Sequence, residues 1–329
     1  MRPKVSVALC TFNGAAHLSE QLGSFADQTL EPDEVVACDD GSTDATLEIL
    51  NAFAKTAPFP VRIVSNPENL GIARNFAQAI SLCRGDIILL SDQDDVWLPG
   101  KVRRFVDIFA AHPEVEGLFS NALIADSNLL PTGTSLWQEL GLIGNRRAQV
   151  MSSDAIEAVI WGNPVYGTVF GFRASALQIL LPIPFPLPGY VIHDGWMAMI
   201  LGCRGTLRGF DEKLSFYRQH TSQQSGLGGR APLGVLAKLR RSATERTKGY
   251  HEHVEELKTM STLLSAHHAS ATFDLTPLAE RIRFCEFRLD LPDNGMRRMQ
   301  LIGKELLQGN YRKHTGQWLQ PMVRDVLAF

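Results

Sequence analysis

The sequence contains few cysteines and no long apolar run. Its five cysteines form no Cys-x-x-Cys pair, and we expect them to be reduced thiols in the core. No stretch approaches the roughly 18 apolar residues of a membrane-spanning helix, and four prolines interrupt the late apolar segment 177–192. The apolar run at residues 5–10 is too short for a signal peptide. These absences predict a cytoplasmic protein without a membrane span.

Charge is divided unevenly along the chain. The net charge is −3, but residues 1–229 carry 16 Lys and Arg against 24 Asp and Glu, whereas residues 230–329 carry 16 against 11. A basic helical region of this kind either associates with an anionic membrane surface or is simply a solvated helix face. Peripheral contact with the inner face of the cell membrane is therefore one expected use of this region. Nucleic acid is not an expected partner.

Short apolar runs alternate with helical patterns over the first 120 residues. Strands are predicted at residues 5–9, 34–38, 61–64 and 86–90, and helices at residues 15–26, 44–54, 71–82 and 99–110. Such repeated strand–helix alternation predicts an α/β fold with a mostly parallel central sheet, in which ligands bind beyond the carboxyl ends of the strands.

The pattern loosens after residue 120. Further strands are predicted at residues 116–125, 165–172 and 205–216, and short helices at residues 174–180 and 195–203. A glycine-rich joint at 226–229 then precedes a purely helical pattern over 232–329. We therefore predict a catalytic domain at 1–225, made of a nucleotide-binding half (1–120) and an acceptor half (121–225), followed by a helical C-terminal region at 226–329.

Polar clusters follow the first four predicted strands, at residues 11–14, 39–44, 66–69 and 91–95. In the second cluster, Ser42 or Thr43 is suited to cap the helix that follows. Capping does not explain Asp39 and Asp40, because adjacent carboxylates repel each other unless a cation or a hydrogen-bond donor approaches.

The fourth cluster is an acidic loop that we define as residues 92–95. Asp92, Asp94 and Asp95 follow a buried-looking apolar run, and such a carboxylate cluster suits Mg²⁺ or Mn²⁺ with substrate phosphates in the remaining coordination positions. A solvated acidic turn is an equally open interpretation of this short motif. The sequence does not rank Asp94 above Asp95 as the main metal ligand.

Four ordered motifs resemble those of the family 2 glycosyltransferases, which are inverting enzymes with the GT-A nucleotide-sugar-binding fold. The motifs are Val5-Ser6-Val7-Ala8-Leu9-Cys10-Thr11-Phe12-Asn13-Gly14, Asp39-Asp40-Gly41-Ser42-Thr43-Asp44, Asn69-Leu70-Gly71-Ile72-Ala73-Arg74-Asn75 and Ser91-Asp92-Gln93-Asp94-Asp95-Val96-Trp97. The resemblance covers about residues 1–225 and is strongest over the first 105. It implies a GT-A domain, with 226–329 as a helical extension.

The resemblance also implies roles for single residues on the donor side. Asp39 or Asp40 would read the pyrimidine edge, Asp92 would face the ribose, and Arg74 would lie near base or phosphate unless it is an ordinary surface arginine. The implied donor-binding set is Thr11, Phe12, Asn13, Asp39, Asp40, Arg74, Asp92 and Gln93. The implied metal ligands are Asp94, Asp95 and His220.

Two later motifs complete the resemblance. Asp194 in His193-Asp194-Gly195-Trp196 would be the general base, although its spacing alone makes it a helix N-cap. His220 ends Tyr217-Arg218-Gln219-His220 and is a metal ligand, a hydrogen-bond donor to phosphate or a structural histidine. The remaining members of the two motifs, expected on the acceptor or phosphate side, are His193, Trp196 and Arg218.

The predicted reaction is inverting transfer of a sugar from a nucleoside-diphosphate donor, dTDP-L-rhamnose first and a UDP-hexose or UDP-HexNAc second. The expected acceptor is a saccharide or lipid-linked glycan of bacterial surface polysaccharide biosynthesis. The Gln-x-x-Arg-Trp motif of processive synthases is absent, as is the glycine-rich Arg/Lys loop of sugar-phosphate nucleotidyltransferases. A non-catalytic protein that binds nucleotide sugar or a partner is the remaining alternative.

Overall fold

The structure is a computed structural model that describes residues 2–188, 191–220, 243–315 and 319–327. The predicted glycine-rich joint at 226–229 lies outside the described residues. The chain divides into two compact units, one of Met1–Phe185 with Val191–Gln223 and one of Pro186–Tyr190 with Gln224–Phe329.

The first unit is an α/β domain. Its strands are β1 (Val5–Thr11), β2 (Glu34–Asp39), β3 (Val61–Ser65), β4 (Ile87–Ser91), β5 (Val96–Trp97), β6 (Gly117–Ala125), β7 (Pro131–Ser135), β8 (Phe170–Arg173) and β9 (Leu207–Arg218). Its helices are α1 (Leu18–Ala26), α2 (Thr46–Ala54), α3 (Ile72–Leu82), α4 (Lys101–Ala111), α5 (Leu136–Glu139), α6 (Asn145–Val150), α7 (Ala155–Gly162), α8 (Leu177–Leu180) and α9 (His193–Cys203). A 3₁₀ turn at Gly167–Val169 precedes β8, and another at Ala174–Ala176 follows it.

The strands form one sheet in the order β3-β2-β1-β4-β8-β6-β9-β5, with β7 paired to β6. The first four strands of the chain are parallel to one another, which confirms the predicted parallel core. β8 joins the two halves of the sheet by antiparallel pairing with both β4 and β6, and β5 pairs antiparallel with β9. The carboxyl ends of β1, β2 and β4 therefore meet at one rim.

Burial explains why these segments are strands. Every residue of β1 and β4 is buried, as expected of central parallel strands covered by helices on both faces. Helices pack on them through apolar stripes, such as Phe76, Ala79 and Ile80 of α3. Four of the five cysteines, all except the half-buried Cys83, are fully buried as free thiols.

The second unit is helical in its described part. It contains α10 (Ala243–Ala266), α11 (Thr276–Leu289), α12 (Gly295–Leu307), α13 (Asn310–Thr315) and α14 (Leu319–Leu327). Its core packs Phe284, Leu291, Ile302 and Tyr311. A buried polar network accompanies this core, because Asp325 accepts hydrogen bonds from Arg288 and from the Tyr311 hydroxyl, each at 2.7 Å. No helix within the described residues has both the length and the apolarity needed to cross a bilayer.

Candidate active site

Three strand-end loops are joined by hydrogen bonds at the rim of the sheet. The loop after β1 contacts the loop after β2, because Asn13 N–H donates to Ser42 Oγ and Asn13 Oδ1 accepts from Thr43 N–H, both at 2.8 Å. The same loop contacts the acidic loop, because Phe12 N–H donates to Gln93 Oε1 at 2.7 Å. The predicted convergence of polar loops is therefore present.

Gln93 is committed to the backbone of Phe12. Its side-chain amide accepts from Phe12 N–H and donates to Phe12 C=O at 3.1 Å, as a neighbouring strand would. Gly14 makes room for this arrangement, since a Cβ there would lie 2.2 Å from Gln93 Oε1. Gln93 thus positions the loop that carries Phe12, which is half-buried, and Asn13, which is exposed.

Hydrogen-bond donors of the protein satisfy the carboxylates of both Asp39 and Asp40, which reduces their mutual repulsion. Asp39 accepts from Thr11 Oγ1 at 2.8 Å and from Ser42 N–H at 2.9 Å. Asp40 accepts from the backbone N–H groups of Leu70 at 2.8 Å and Gly71 at 2.9 Å, at the positive end of the α3 dipole. The capping prediction for Ser42 and Thr43 is wrong, because α2 begins at Thr46 after Ala45 and these side chains bind the neighbouring loop instead.

Arg74 lies in the first turn of α3 and is exposed. Its guanidinium carbon is 5.2 Å from the centre of the Phe185 ring, which fits a weak cation–π contact. Within the described residues, Arg74 makes no salt bridge, so its charge is open to solvent.

The acidic loop holds its carboxylates in different environments. Asp94 Oδ2 is 2.9 Å from His220 Nε2, and both side chains are largely buried. Asp95 is 1% exposed; its Oδ1 accepts from Arg218 N–H at 2.9 Å. Burial, and then the charge of Asp94, raise the pKa of Asp95 to about 7. Burial and the nearby Asp95, Asp94 and Asp194 raise the pKa of Asp92 well above its usual range.

Arg218 supports the acidic loop from within the protein. Its guanidinium donates to Asp94 C=O at 2.7 Å, to Ser127 C=O at 2.8 Å and to the Glu20 carboxylate. The residue is 1% exposed. These contacts tie the acidic loop to β9, to α1 and to the turn after β6.

Asp194 lies in the first turn of α9, and the prediction that it is an N-cap is wrong. The helix begins at His193, Ile192 is the capping residue, and no side chain caps this end. Asp194 is 5% exposed and its Oδ1 accepts from Gly195 N–H at 2.5 Å. Burial raises the pKa of Asp194 to about 7, against the opposing effect of backbone donors at Gly195 and Gly167.

His193 and Trp196 are buried on the same helix, each about 1% exposed. The imidazole of His193 stacks on Phe76 with ring centres 3.8 Å apart and an interplanar angle of 12°. Burial lowers the pKa of His193 to about 3, so the ring is neutral. Neither ring nitrogen has a hydrogen-bond partner among the described residues.

Gly167 lies between the acidic loop and α9. A Cβ at this position would be 3.1 Å from Asp92 Oδ2 and 3.5 Å from His193 Nε2. The two carboxylate motifs, about a hundred residues apart in sequence, therefore meet at one glycine of the 3₁₀ turn. A Cβ at Gly167 would press on the Asp92 carboxylate and make ordinary contact with His193.

Two further residues belong to this neighbourhood although the sequence analysis did not single them out. Lys101 is fully buried, donates from Nζ to Thr168 C=O, and lies 4.1 Å from the centre of the Trp97 ring. The sequence feature that could have identified Lys101 is its helical spacing with Phe105 and Phe109, which places it on the buried face of α4. The ring centres of His17 and His220 are 4.7 Å apart, and no sequence pattern predicted that His17 would lie near the site.

The arrangement fits a divalent cation held partly by protein and partly by phosphate. Asp94 Oδ2 and His220 Nε2 form a 2.9 Å hydrogen bond in the structure. The same separation suits neighbouring ligands in an octahedron with bonds of about 2.1 Å. Asp95 Oδ2 is a buried oxygen without a hydrogen-bond partner in the described part of the chain. Across residues 2–188, 191–220 and the described helices, no three His, Cys, Asp or Glu side chains form a metal-binding group. Two protein ligands with phosphate completing the shell are common for Mg²⁺.

Comparison with known proteins agrees with this fold. Residues 6–122 match the family described as Glycosyl transferase family 2. An uncharacterised glycosyltransferase of Nostoc sp. is 27% identical over 222 residues, which are 66% of this chain and 65% of that protein. The dTDP-rhamnosyl transferase of Shigella flexneri is 26% identical over 261 residues, covering 76% of this chain and 83% of that protein. The chain thus spans just under two thirds of the Nostoc relative.

A solved structure shows the same architecture. The mannosyltransferase of Pyrobaculum calidifontis, in complex with GDP-mannose and Mn²⁺, aligns with a TM-score of 0.53 at 18% identity, covering 100% of this chain and 84% of that one. The mixed sheet with its rim of strand-end loops therefore defines a GT-A fold. Over residues 6–122 the chain thus matches Glycosyl transferase family 2 in sequence, within a domain that has the GT-A architecture.

Proposed function

We propose that the protein transfers a sugar from a nucleoside-diphosphate donor to an acceptor hydroxyl with inversion at the anomeric carbon. The observation that carries this proposal is the meeting of two carboxylate motifs at Gly167, where Asp92 Oδ2 would be 3.1 Å from a Cβ and where Asp194 accepts a backbone hydrogen bond. A donor-binding carboxylate and a buried carboxylate base that both lie beside one small residue suit a single-displacement reaction.

On the donor side, we assign the base pocket to Phe12 and Asn13 with Asp39 beneath them, since Phe12 and Asn13 retain exposure on the loop that Gln93 positions. Thr11 contributes through its hydrogen bond to Asp39. Asp40 acts on this pocket indirectly, because its carboxylate is committed to the α3 N-terminus. Arg74, exposed in the first turn of α3, is free to meet donor phosphate.

We assign the divalent cation, Mg²⁺ or Mn²⁺, to Asp94 and His220, with donor phosphate completing its shell. The third predicted ligand, Asp95, would need to move to join them, because the described residues hold no group of three such ligands. The 2.9 Å contact of Asp94 with His220 supports this pair, and the Mn²⁺ bound to the Pyrobaculum enzyme supports the type of ion. When bound, the cation supplies Lewis-acid stabilisation of the diphosphate leaving group. Arg218 holds the backbone of Asp94 in place through its 2.7 Å hydrogen bond.

We assign Asp194 as the general base. As the acceptor oxygen forms its bond to the anomeric carbon, the carboxylate takes the hydroxyl proton, and the bond to the diphosphate breaks to release the nucleoside diphosphate. A pKa of about 7, caused mainly by burial, is well matched to proton abstraction near neutral pH. We assign His193, which is neutral and contacts the same turn, to the acceptor side.

L-Rhamnose from dTDP-L-rhamnose is our first donor, supported by the Shigella relative at 26% identity. UDP-hexose or UDP-HexNAc is the second donor class. We expect a saccharide or lipid-linked glycan acceptor of bacterial surface polysaccharide biosynthesis, handled in the cytoplasm.

The test separates donor binding from chemistry. Asp94→Asn should abolish transfer and also the Mn²⁺-dependent thermal stabilisation by dTDP- or UDP-sugar. Asp194→Asn should retain that stabilisation but lower kcat by about 10²- to 10⁴-fold. In the wild type, kcat/KM should rise with pH through about pH 7, because Asp194 must lose its proton to act as a base. Transfer is followed by release of nucleoside diphosphate.

Asp107→Asn is the matched control, since Asp107 is exposed on α4 away from the site. It should leave transfer and stabilisation unchanged. Full transfer activity in Asp194→Asn would refute the base assignment. Stabilisation by nucleotide sugar without transfer to any glycan acceptor would favour the non-catalytic alternative.

A further inference from the structure

Helix α12 of the second unit exposes a row of large apolar side chains. Met296, Met299 and Leu307 are 77%, 55% and 92% exposed, and we call them the α12 stripe. Met299 and Leu307 follow Met296 by three and eleven residues, which places all three on one face of a helix with 3.6 residues per turn. Gly303, which has no side chain, and the exposed polar side chain of Gln300 lie on the same face.

The opposite face of α12 is anchored in the unit. Arg298, Ile302 and Glu305 are buried, and Arg298 donates to Asp325 C=O at 2.5 Å. The helix is also capped, because Asn294 Oδ1 accepts from Arg297 N–H at 3.0 Å. The α12 stripe is therefore the outer face of a well-formed helix, not the product of a frayed end.

Basic side chains flank the α12 stripe. Arg297 and Lys304 are exposed on its edge, and within the described residues neither side chain makes an ion pair or hydrogen bond. The acidic residues of this helix region are Glu305, which is buried against Arg283, and Asp293, which precedes the helix. The wider segment 230–329 carries 16 Lys and Arg against 11 Asp and Glu.

We propose that the α12 stripe docks onto an anionic lipid surface, with Met296, Met299 and Leu307 inserted at the level of the headgroups and Arg297 and Lys304 on lipid phosphates. An apolar row edged by basic residues is the pattern of helices that lie in a membrane interface. A second copy of the chain is a poorer occupant, because two such faces would bring Arg297 and Lys304 against their own counterparts. This proposal does not depend on the proposed reaction.

The experiment is co-sedimentation of the full chain with vesicles. The wild type should bind phosphatidylcholine vesicles containing phosphatidylglycerol, and binding should weaken at least about tenfold without phosphatidylglycerol or in about 0.5 M NaCl. Met296→Ser/Met299→Ser/Leu307→Ser should weaken binding by a similar factor, as should Arg297→Gln/Lys304→Gln. The matched control is Leu130→Ser/Ile143→Ser in the first unit, where Leu130 and Ile143 are 63% and 62% exposed. It should bind as the wild type does.

Hydrogen–deuterium exchange of the wild type gives a second measurement that needs no variant. Residues 295–307 should gain protection on phosphatidylglycerol vesicles, most strongly near Leu307. Equal vesicle binding by the triple-serine variant and the wild type would overturn the proposal. So would a wild-type dimer that becomes monomeric in that variant, because the α12 stripe would then be an interface between copies.

Discussion

Lys101 is the residue whose environment is least expected of its type. It is fully buried, and the carboxylates of Asp95 and Asp92 are near enough to oppose the loss of its charge. Burial nevertheless lowers the pKa of Lys101 to about 7. We interpret Lys101 as a positioning residue that offsets the negative charge of the acidic loop when no cation is bound.

Replacing Lys101 by Met keeps most of the side-chain volume and removes the charge. The variant should therefore separate the contribution of packing from that of charge. We expect the metal-free variant to lose about 3 kcal/mol of stability, which lowers the unfolding temperature by roughly 6–12 °C. At pH 6.5, below the pKa of about 7 at which Lys101 loses its charge, Mn²⁺ should stabilise this variant more than the wild type, because the carboxylates have lost their internal cation. Arg103→Met, exposed on the same helix, is the control. Equal stabilisation of Lys101→Met and wild type by Mn²⁺ would show that Lys101 only fills space.

Sequence patterns predicted where polar residues lie close together but not which groups form hydrogen bonds with them. Adjacent strand-end carboxylates indicated a site, yet the donors to Asp40 come from the start of α3, thirty residues later. Arg218 was expected to meet phosphate or acceptor, whereas its described contacts are with protein groups. A linear pattern cannot report which long-range partner reaches a side chain first, because that depends on the register of strands distant in sequence.

At the scale of elements, the alternation over the first 120 residues predicted strands and helices within a few residues of their observed bounds. β5, β7 and the helices from α5 to α7 were not predicted. β5 has two residues and β7 is mostly exposed, so neither has a hydrophobic period. The start of α5 did carry a signal, because Ser135 and Gln138 form a capping box.

The 3₁₀ turn at Gly167–Val169 is the element that lies between Asp92 of the acidic loop and His193 of α9. Gly167→Ala would place a methyl group 3.1 Å from Asp92 Oδ2. Because misplacement of a site group by a fraction of an ångström weakens binding and orientation, we expect kcat/KM for the donor to fall roughly tenfold or more with the protein still folded. Gly162→Ala is the control, since a Cβ there meets nothing within 4 Å. Unchanged steady-state kinetics in Gly167→Ala would contradict the bridging role of this turn.

At the scale of the whole molecule, the two units have hydrophobic cores without a common residue. We predict two unfolding transitions in calorimetry. Mn²⁺ with nucleotide sugar should raise the first unit's transition, since ligand stabilises only the unit that binds it. Asp325→Ala leaves Arg288 and Tyr311 without their partner. This variant should lower the transition temperature of the second unit by more than about 10 °C. A single transition that moves as a whole in both experiments would contradict this prediction.

The pairing of β5 with β9 sets the order in which the site comes into existence. Val96 pairs with Phe216, and the contact of Asp94 with His220 follows directly. During synthesis at about 5–20 residues per second, the amino-terminal half of the sheet leaves the ribosome many seconds before residue 220 does. A nascent chain therefore carries an acidic loop that Gln93 already joins to Phe12 but that lacks Arg218 and His220. Premature termination before β9 leaves the parallel strands without Arg218 and His220, so on our proposal only chains whose synthesis has passed that strand would turn over nucleotide sugar.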